Sequence, residues 1–142
     1  MVNIDYKRNC VSQIAYHVAW CTKYRKYILV DEVAKRIGQL IDMICEENKW
    51  VILSREIQPD HIHLFVSIKP AVSVATAIKK LKGITARKLF MEFPDIKKKL
   101  WNGSLQAKPV WSPSYYVGTA GNVSAEIIKK YIERTEHMRG RR

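Results

Sequence analysis

Strand-period and helix-period segments follow one another along this chain in the order strand, helix, strand, strand, helix, strand, helix. That order predicts an α+β fold built on an antiparallel sheet. Three observations carry the expectation. Short runs rich in β-branched and aromatic residues are bounded by turn signals, and two longer runs place apolar residues at helical spacing. Pro59-Asp60 makes the turn from the second strand into the third. The first six elements match the ferredoxin-like βαββαβ pattern, with its helices on one face of the sheet, and the last helix is an addition to it.

Ser12 to Thr22 (SQIAYHVAWCT) is the first strand, and the basic turn Lys23-Tyr24-Arg25-Lys26-Tyr27 follows it. Asp31 can cap a helix in which Val33, Ile37, Leu40, Ile41 and Ile44 recur at helical spacing to Asn48. Trp50 to Ile57 is the second strand and His61 to Ile68 the third, which Pro70 ends. Ser73 can cap a second helix to Glu92, with Val74, Ile78, Leu81, Thr85 and Leu89 on its buried stripe. Lys79, Lys80 and Arg87 fall together on another face of it, and Phe93-Pro94 stops it. Lys97-Lys98-Lys99-Leu100-Trp101 and the stretch to Val110 read as irregular and basic. Trp111 to Val117 reads as a short aromatic strand, where Pro113 argues for an edge or a bulge. Gly118 to Asn122 reads as a flexible joint, Ser124 to His137 as a final helix, and Arg139 to Arg142 as a basic tail.

With 142 residues, 47% of them hydrophobic, the chain is expected to form one domain over residues 1–142 around a single core. The N-terminal residues lack the apolar stretch of a signal peptide, and no run approaches a membrane span. Cys10, Cys21 and Cys45 show no metal or redox spacing, so they read as free thiols in a reducing, cytoplasmic setting. Twenty-five Lys and Arg against thirteen Asp and Glu leave a net charge of +12. Such an excess draws polyanions, and nucleic acid fits better than an anionic membrane because no amphipathic anchor helix is evident. Charge alone does not separate DNA from RNA.

His61 and His63 flank Ile62 on the third strand, so their side chains share one face about 7 Å apart while Ile62 and Leu64 take the other. Two imidazoles placed so can share a divalent metal, but spacing alone also fits a pair of solvated or core histidines. Tyr131 falls inside the apolar stripe of the last helix. Periodicity therefore favours a tyrosine packed on the sheet over a nucleophile presented by a helix. His17, mid-strand between Tyr16 and Val18, reads as structural, and His137 as a favourable charge at a helix C-terminus. Lys23, Tyr24 and Arg25, with Lys79, Lys80 and Arg87, are candidate nucleic-acid contacts, since backbone charge interleaved with aromatic surface suits single strands and hairpins. A charged helix face is equally often just a solvated face. The sequence contains no Gly-rich phosphate loop after a strand, no Gly-x-Ser-x-Gly elbow and no second His-x-Thr or His-x-His.

Four blocks then stand together: WCTKYRKYIL, QPDHIHLFVSI, LKGITARKLFMEFP and WSPSYYVGTAGNVSAEIIKKYIE. In order and spacing they resemble the single-tyrosine HUH transposases of the insertion-sequence 200/605 family, over Ser12 to Glu133. His-x-His alone is a weak signal; the four blocks together are specific. The resemblance implies a ferredoxin-like fold whose C-terminal helix carries the tyrosine. It implies a homodimer, with the histidines of one subunit facing the tyrosine helix of the other. It also implies cleavage and rejoining of single-stranded DNA at hairpin-marked element ends through a 5′-phosphotyrosine. His61 and His63 match the ligands of a Mg²⁺ or Mn²⁺ ion, Tyr131 matches the catalytic tyrosine, and Gly118 and Gly121 sit where that helix would swing. The family commonly has Gln four residues after the tyrosine as a third ligand, where this chain has Thr135. A two-histidine site completed by water and DNA phosphate, with Thr135 or Glu136, is the expectation. The alternatives are a domesticated relative that cuts repeated palindromes, a rolling-circle initiator, or a non-catalytic nucleic-acid-binding module of the same fold.

Overall fold

The structure is a computed structural model that describes residues 12–101 and 107–124, with side chains at 14–101 and 107–119. Its elements are β1 (Ser12–Cys21), a single 3-10 turn (Lys23–Arg25), α1 (Asp31–Asn48), β2 (Val51–Gln58), β3 (His61–Ile68), α2 (Val74–Glu92), α3 (Asp95–Trp101) and β4 (Tyr116–Ser124). The strands form one antiparallel sheet in the order β2-β3-β1-β4, so the two strands central to the site are flanked by two edges. This is the α+β, ferredoxin-like arrangement expected from the order of elements.

The alternation along β3 builds the core. Ile62 and Leu64 are completely buried, whereas His61 and His63 on the other face are half-buried. Ile62, Leu64, Val66 and Ile68 join Val18 and Trp20 of β1 in one cluster with Ile37, Ile41 and Ile44 of α1. Ala77, Ile78, Leu81 and Leu89 of α2 and Ile96 and Leu100 of α3 complete it, so all three described helices bury side chains in the same core. Each fully buried Ile or Leu contributes about 1.5–3 kcal/mol. The helix ends are closed locally. Ser73 caps α2 by accepting from the Thr76 N–H at 3.1 Å. Lys49, at φ 60°, turns α1 out through a left-handed residue, and the Trp50 N–H reaches back to the Cys45 carbonyl at 2.9 Å.

Four local expectations are corrected. Asp31 is the first residue of α1 and not its cap: Val30 takes the extended cap geometry, and Asp31 and Glu32 lie in the first turn, where the helix dipole favours negative charge. The lysine run 97–99 lies in a short helix, because Ile96 and Leu100, four residues apart, are both buried and fold the segment back on the core. The aromatic strand does not begin at Trp111, which makes only an isolated bridge with Thr22; β4 begins at Tyr116, after Pro113. Gly118 to Asn122 is strand and not a joint. Gly118 pairs with His17 and Gly121 with Ala15, and the register shift between Ala15 and Tyr16 takes up the extra residue. The expected final helix, apart from Ser124 at the end of β4, lies outside the described residues, and Tyr131, Thr135, Glu136 and His137 lie there with it.

Candidate active site

Directly opposed residues of an antiparallel ladder share a face, and the register assembles three rows across the sheet around the histidines. Gln58, His61 and Cys21 form the first row; Glu56, His63, Ala19 and Tyr116 the second; Ser54, Phe65, His17 and Gly118 the third. His61 and His63 therefore stand on the face opposite the helical core, as their spacing implied.

His17, which reads from the sequence as structural, stands on the same face beside them. Its ring stacks on Phe65 with centroids 4.4 Å apart and planes 8° from parallel, and its centroid is 5.5 Å from that of His63. The signal that could have placed it was the alternation of β1 itself: with Val18 and Trp20 in the core, His17 had to face the other way. A second residue that sequence reasoning passed over is Tyr116. Its phenol lies over Gly118, where an added Cβ would come within 2.6 Å of its hydroxyl, so Gly118 makes room for this ring.

His61 is held from one side. Its Nδ1 is 2.8 Å from Oδ1 of Asp60. Oδ2 of the same carboxylate accepts from Arg25, with Nε and Nη2 each at 3.0 Å. The hydrogen bond from His61 holds the Asp60 carboxyl below the usual aspartate range; partial burial works against this and the Arg25 charge adds to it. The turn that carries Asp60 is stitched to the end of β1. The Thr22 N–H donates to the Asp60 carbonyl at 2.9 Å and the Leu29 N–H to the Pro59 carbonyl at 3.0 Å. Thr22, completely buried, also donates its hydroxyl to the Lys26 carbonyl at 2.7 Å.

The sequence candidates for nucleic-acid contact divide into two groups. Lys23, Tyr24 and Arg25 lie at the end of β1 next to His61, in a tight turn where Tyr24 (φ 57°) and Arg25 (φ 52°) both adopt the left-handed conformation. Side chains with a Cβ rarely tolerate that region, so the turn stores strain close to the candidate site. Exposed Tyr24, Tyr27, Tyr115 and Tyr116 lie at this end of the sheet, where the Lys23 N–H donates to the Val110 carbonyl and the Ser112 N–H to the Cys21 carbonyl. Lys82 ties the 112–114 segment down through the Ser112 carbonyl at 2.8 Å, and burial pushes its ammonium below the ordinary lysine value. Lys79, Lys80 and Arg87 are exposed on α2, on the helical side of the sheet, and are not brought beside the histidines. Lys80 donates instead to Asn48 at the end of α1.

Among the described residues no three His, Cys, Asp or Glu side chains converge on one point. The imidazoles on this face are those of His17, His61 and His63; the His17 ring is stacked on Phe65, and Nδ1 of His61 is already engaged. That set fits a divalent ion that takes its remaining ligands from elsewhere, and nitrogen donors suit Mn²⁺ better than Mg²⁺.

Residues 10–135 match the family model described as "Transposase IS200 like". The ISDra2 transposase TnpA of Deinococcus radiodurans is 39% identical over 126 residues, covering 89% of this chain and 86% of that protein. The transposase for insertion sequence element IS200 of Salmonella typhimurium is 33% identical over 121 residues, 83% of this chain and 76% of its own length. The crystal structure of a candidate transposase from D. radiodurans R1 superimposes with a TM-score of 0.71 at 35% identity, over 92% of this chain and 97% of that one. A REP-associated tyrosine transposase bound to a REP hairpin shares the fold, with a TM-score of 0.58 at 12% identity over 93% of this chain and 68% of that one.

Proposed function

Because this chain belongs to the IS200-like transposase family, we propose that it cuts and rejoins single-stranded DNA at hairpin-marked element ends through a 5′-phosphotyrosine intermediate. The observation that carries this reading is the placement of His61 and His63 side by side on the sheet face away from the core, with Asp60 bonded to the first. The fold match to a REP-associated transposase that binds a REP hairpin supports a hairpin as the DNA form recognised. So does the net charge of +12.

In this reading His61 and His63 hold a Mg²⁺ or Mn²⁺ ion, with no third protein ligand among the described residues. Such an ion, when bound, supplies Lewis-acid stabilisation of charge on the scissile phosphate. Tyr131 acts as nucleophile. Its phenol oxygen forms a bond to phosphorus in line with the 3′ oxygen, the P–O3′ bond breaks, and the phenolic proton is given up as the 3′-hydroxyl gains one. A phenol, with a pKa of about 10, is a better leaving group than a sugar alkoxide, so a 3′-hydroxyl can reverse the step and reseal a strand without ATP. Lys23 supplies a positive charge for the phosphates and Tyr24 a stacking surface at the histidine end of the sheet. The active form is a homodimer that shares its sites in trans.

Incubating the protein with Mn²⁺ and labelled single-stranded DNA carrying the hairpins that flank its gene tests the reading. A covalent DNA–protein band is expected from the wild type. Tyr131→Phe should bind the hairpin and give no band, and His61→Ala should lose the band while staying folded. Mixing those two variants restores a band only if sites are shared between subunits. Hairpin binding with no adduct from the wild type would favour a non-catalytic binding module, and an undiminished adduct from Tyr131→Phe would remove the tyrosine from the mechanism.

A further inference from the structure

Arg25 lies in a basic, aromatic turn and is 63% exposed, which on sequence grounds marks it as a phosphate contact. Its guanidinium is nevertheless already engaged. Nε and Nη2 both meet Oδ2 of Asp60, which leaves Oδ1 of that carboxylate to His61. The two oxygens of one side chain are thus divided between an arginine and a candidate ligand.

We infer that the Arg25–Asp60 pair is a positioning device for His61, holding its imidazole in the tautomer protonated at Nδ1 and leaving Nε2 as the one ring nitrogen free to ligate. An ionised carboxylate can only accept hydrogen bonds, so an imidazole nitrogen 2.8 Å from it carries the proton. A neutral imidazole has one such proton, and its other nitrogen keeps the lone pair. Asp60 alone could rotate; Arg25 on its second oxygen stops it. The backbone of Asp60 is equally constrained, because its carbonyl accepts from the N–H of the completely buried Thr22 and the preceding carbonyl accepts from Leu29. The basic turn therefore orients His61 from both the side chain and the main chain of one residue.

His63 is oriented by different means, through contact with the ring of His17, which in turn stacks on Phe65. The two histidines are thus not equivalent. His61 depends on a charged relay that ends in the turn at Lys23–Arg25, and His63 depends on packing within the sheet. Carboxylate partners of ligating histidines fix ring orientation and raise ligand basicity, and their loss typically weakens metal binding about 10–100-fold. Arg25 accordingly acts on the metal site with no DNA present. That Nε2 serves a metal rests on the function proposed above; the tautomer does not.

The test uses the full, metal-free chain. Long-range ¹H–¹⁵N correlation spectra of the imidazoles at about pH 8, where an ordinary imidazole is neutral, should show His61 protonated at Nδ1 in the wild type. In Asp60→Ala the preference should disappear, in Asp60→Asn and Arg25→Gln it should weaken, and Arg25→Lys should recover part of it. The His63 signals should stay in place in all four, which also reports that the sheet is intact. Mn²⁺ titration followed by electron paramagnetic resonance should then give binding about 10–100-fold weaker in Asp60→Ala, with a smaller loss in Arg25→Gln. An unchanged His61 tautomer in Asp60→Ala overturns the positioning role. A wild type that shows the tautomer but binds no Mn²⁺ overturns the metal reading of the site instead.

Discussion

Two neighbouring residues on β3 should respond to truncation in opposite ways. Ile62 is completely buried in the core, and His63, one residue on, is half-buried on the other face beside His17. Ile62→Ala removes methyl and methylene groups from a packed site on the inner strand β3, where the core neighbours from α1 and α2 cannot fully collapse, and should cost about 2–5 kcal/mol. With an unfolding entropy of roughly 2.1 cal/mol/K per residue, the 142 residues total roughly 0.3 kcal/mol/K, so the midpoint should fall by about 7–17 °C. His63→Ala removes a stacked ring from a half-exposed face and should cost no more than about 1 kcal/mol, a shift of about 3 °C on the same scale. The order reverses for function: His63→Ala should abolish the covalent DNA adduct, while Ile62→Ala should retain it at temperatures below its midpoint. Circular dichroism melts at one protein concentration, followed by adduct assays at 15–20 °C below each midpoint, roughly at matched folded fraction, make the comparison. If His63→Ala is destabilised as much as Ile62→Ala, the division of β3 into a core face and a ligand face is wrong.

Other consequences of the structure can be checked independently. Gly118→Ala should destabilise by about 1 kcal/mol by pushing against the Tyr116 ring, and the penalty should vanish in Tyr116→Ala/Gly118→Ala, as a double-mutant cycle of melts would show. Burial pushes the Cys45 thiol up to about 12, so iodoacetamide at about pH 8 should leave it unmodified in the native protein and label it once denaturant is added, as peptide mass mapping would show. Arg36 grips both carboxylate oxygens of Glu92, at 2.7 and 3.1 Å, and holds that carboxyl below its ordinary value of 4.5. The unfolded chain therefore takes up a proton there first as the pH falls, and the stabilisation, present above pH 4.5, is lost as the pH drops further. Glu92→Gln should melt with a shallower dependence on pH in that acid range than the wild type.

How much of this was legible in the sequence depended on distance along the chain. The strand and helix periods, the alternation of Ile62 and Leu64 against His61 and His63, and the cap at Ser73 are local properties, and each needs only neighbouring residues to be read. The family blocks were equally legible, being residue types at fixed spacing. What could not be read was anything set by register between strands or by a buried pair hidden in a polar run. The lysines at 97–99 masked the i, i+4 pair of Ile96 and Leu100 that turns that segment into a helix. Gly118 and Gly121 looked like a hinge because glycine tolerates bending, but pairing with β1 satisfies their backbone and holds them in strand. His17 and Tyr116 lie 46 and 53 positions from His63 in sequence and reach its face only because β1 pairs with β3 on one side and β4 on the other. Asp60 and Arg25 are 35 residues apart. In the sequence they are a turn residue and a basic residue; only the closure of the loop after β1 onto the β2–β3 turn makes them partners. The sequence by itself determined the family, the two histidines and the face they share, because a strand's alternation is a local rule. Which residues orient those histidines was decided by the tertiary structure, since contacts between strands and loops are long-range and arise only when the core on the other face sets the register.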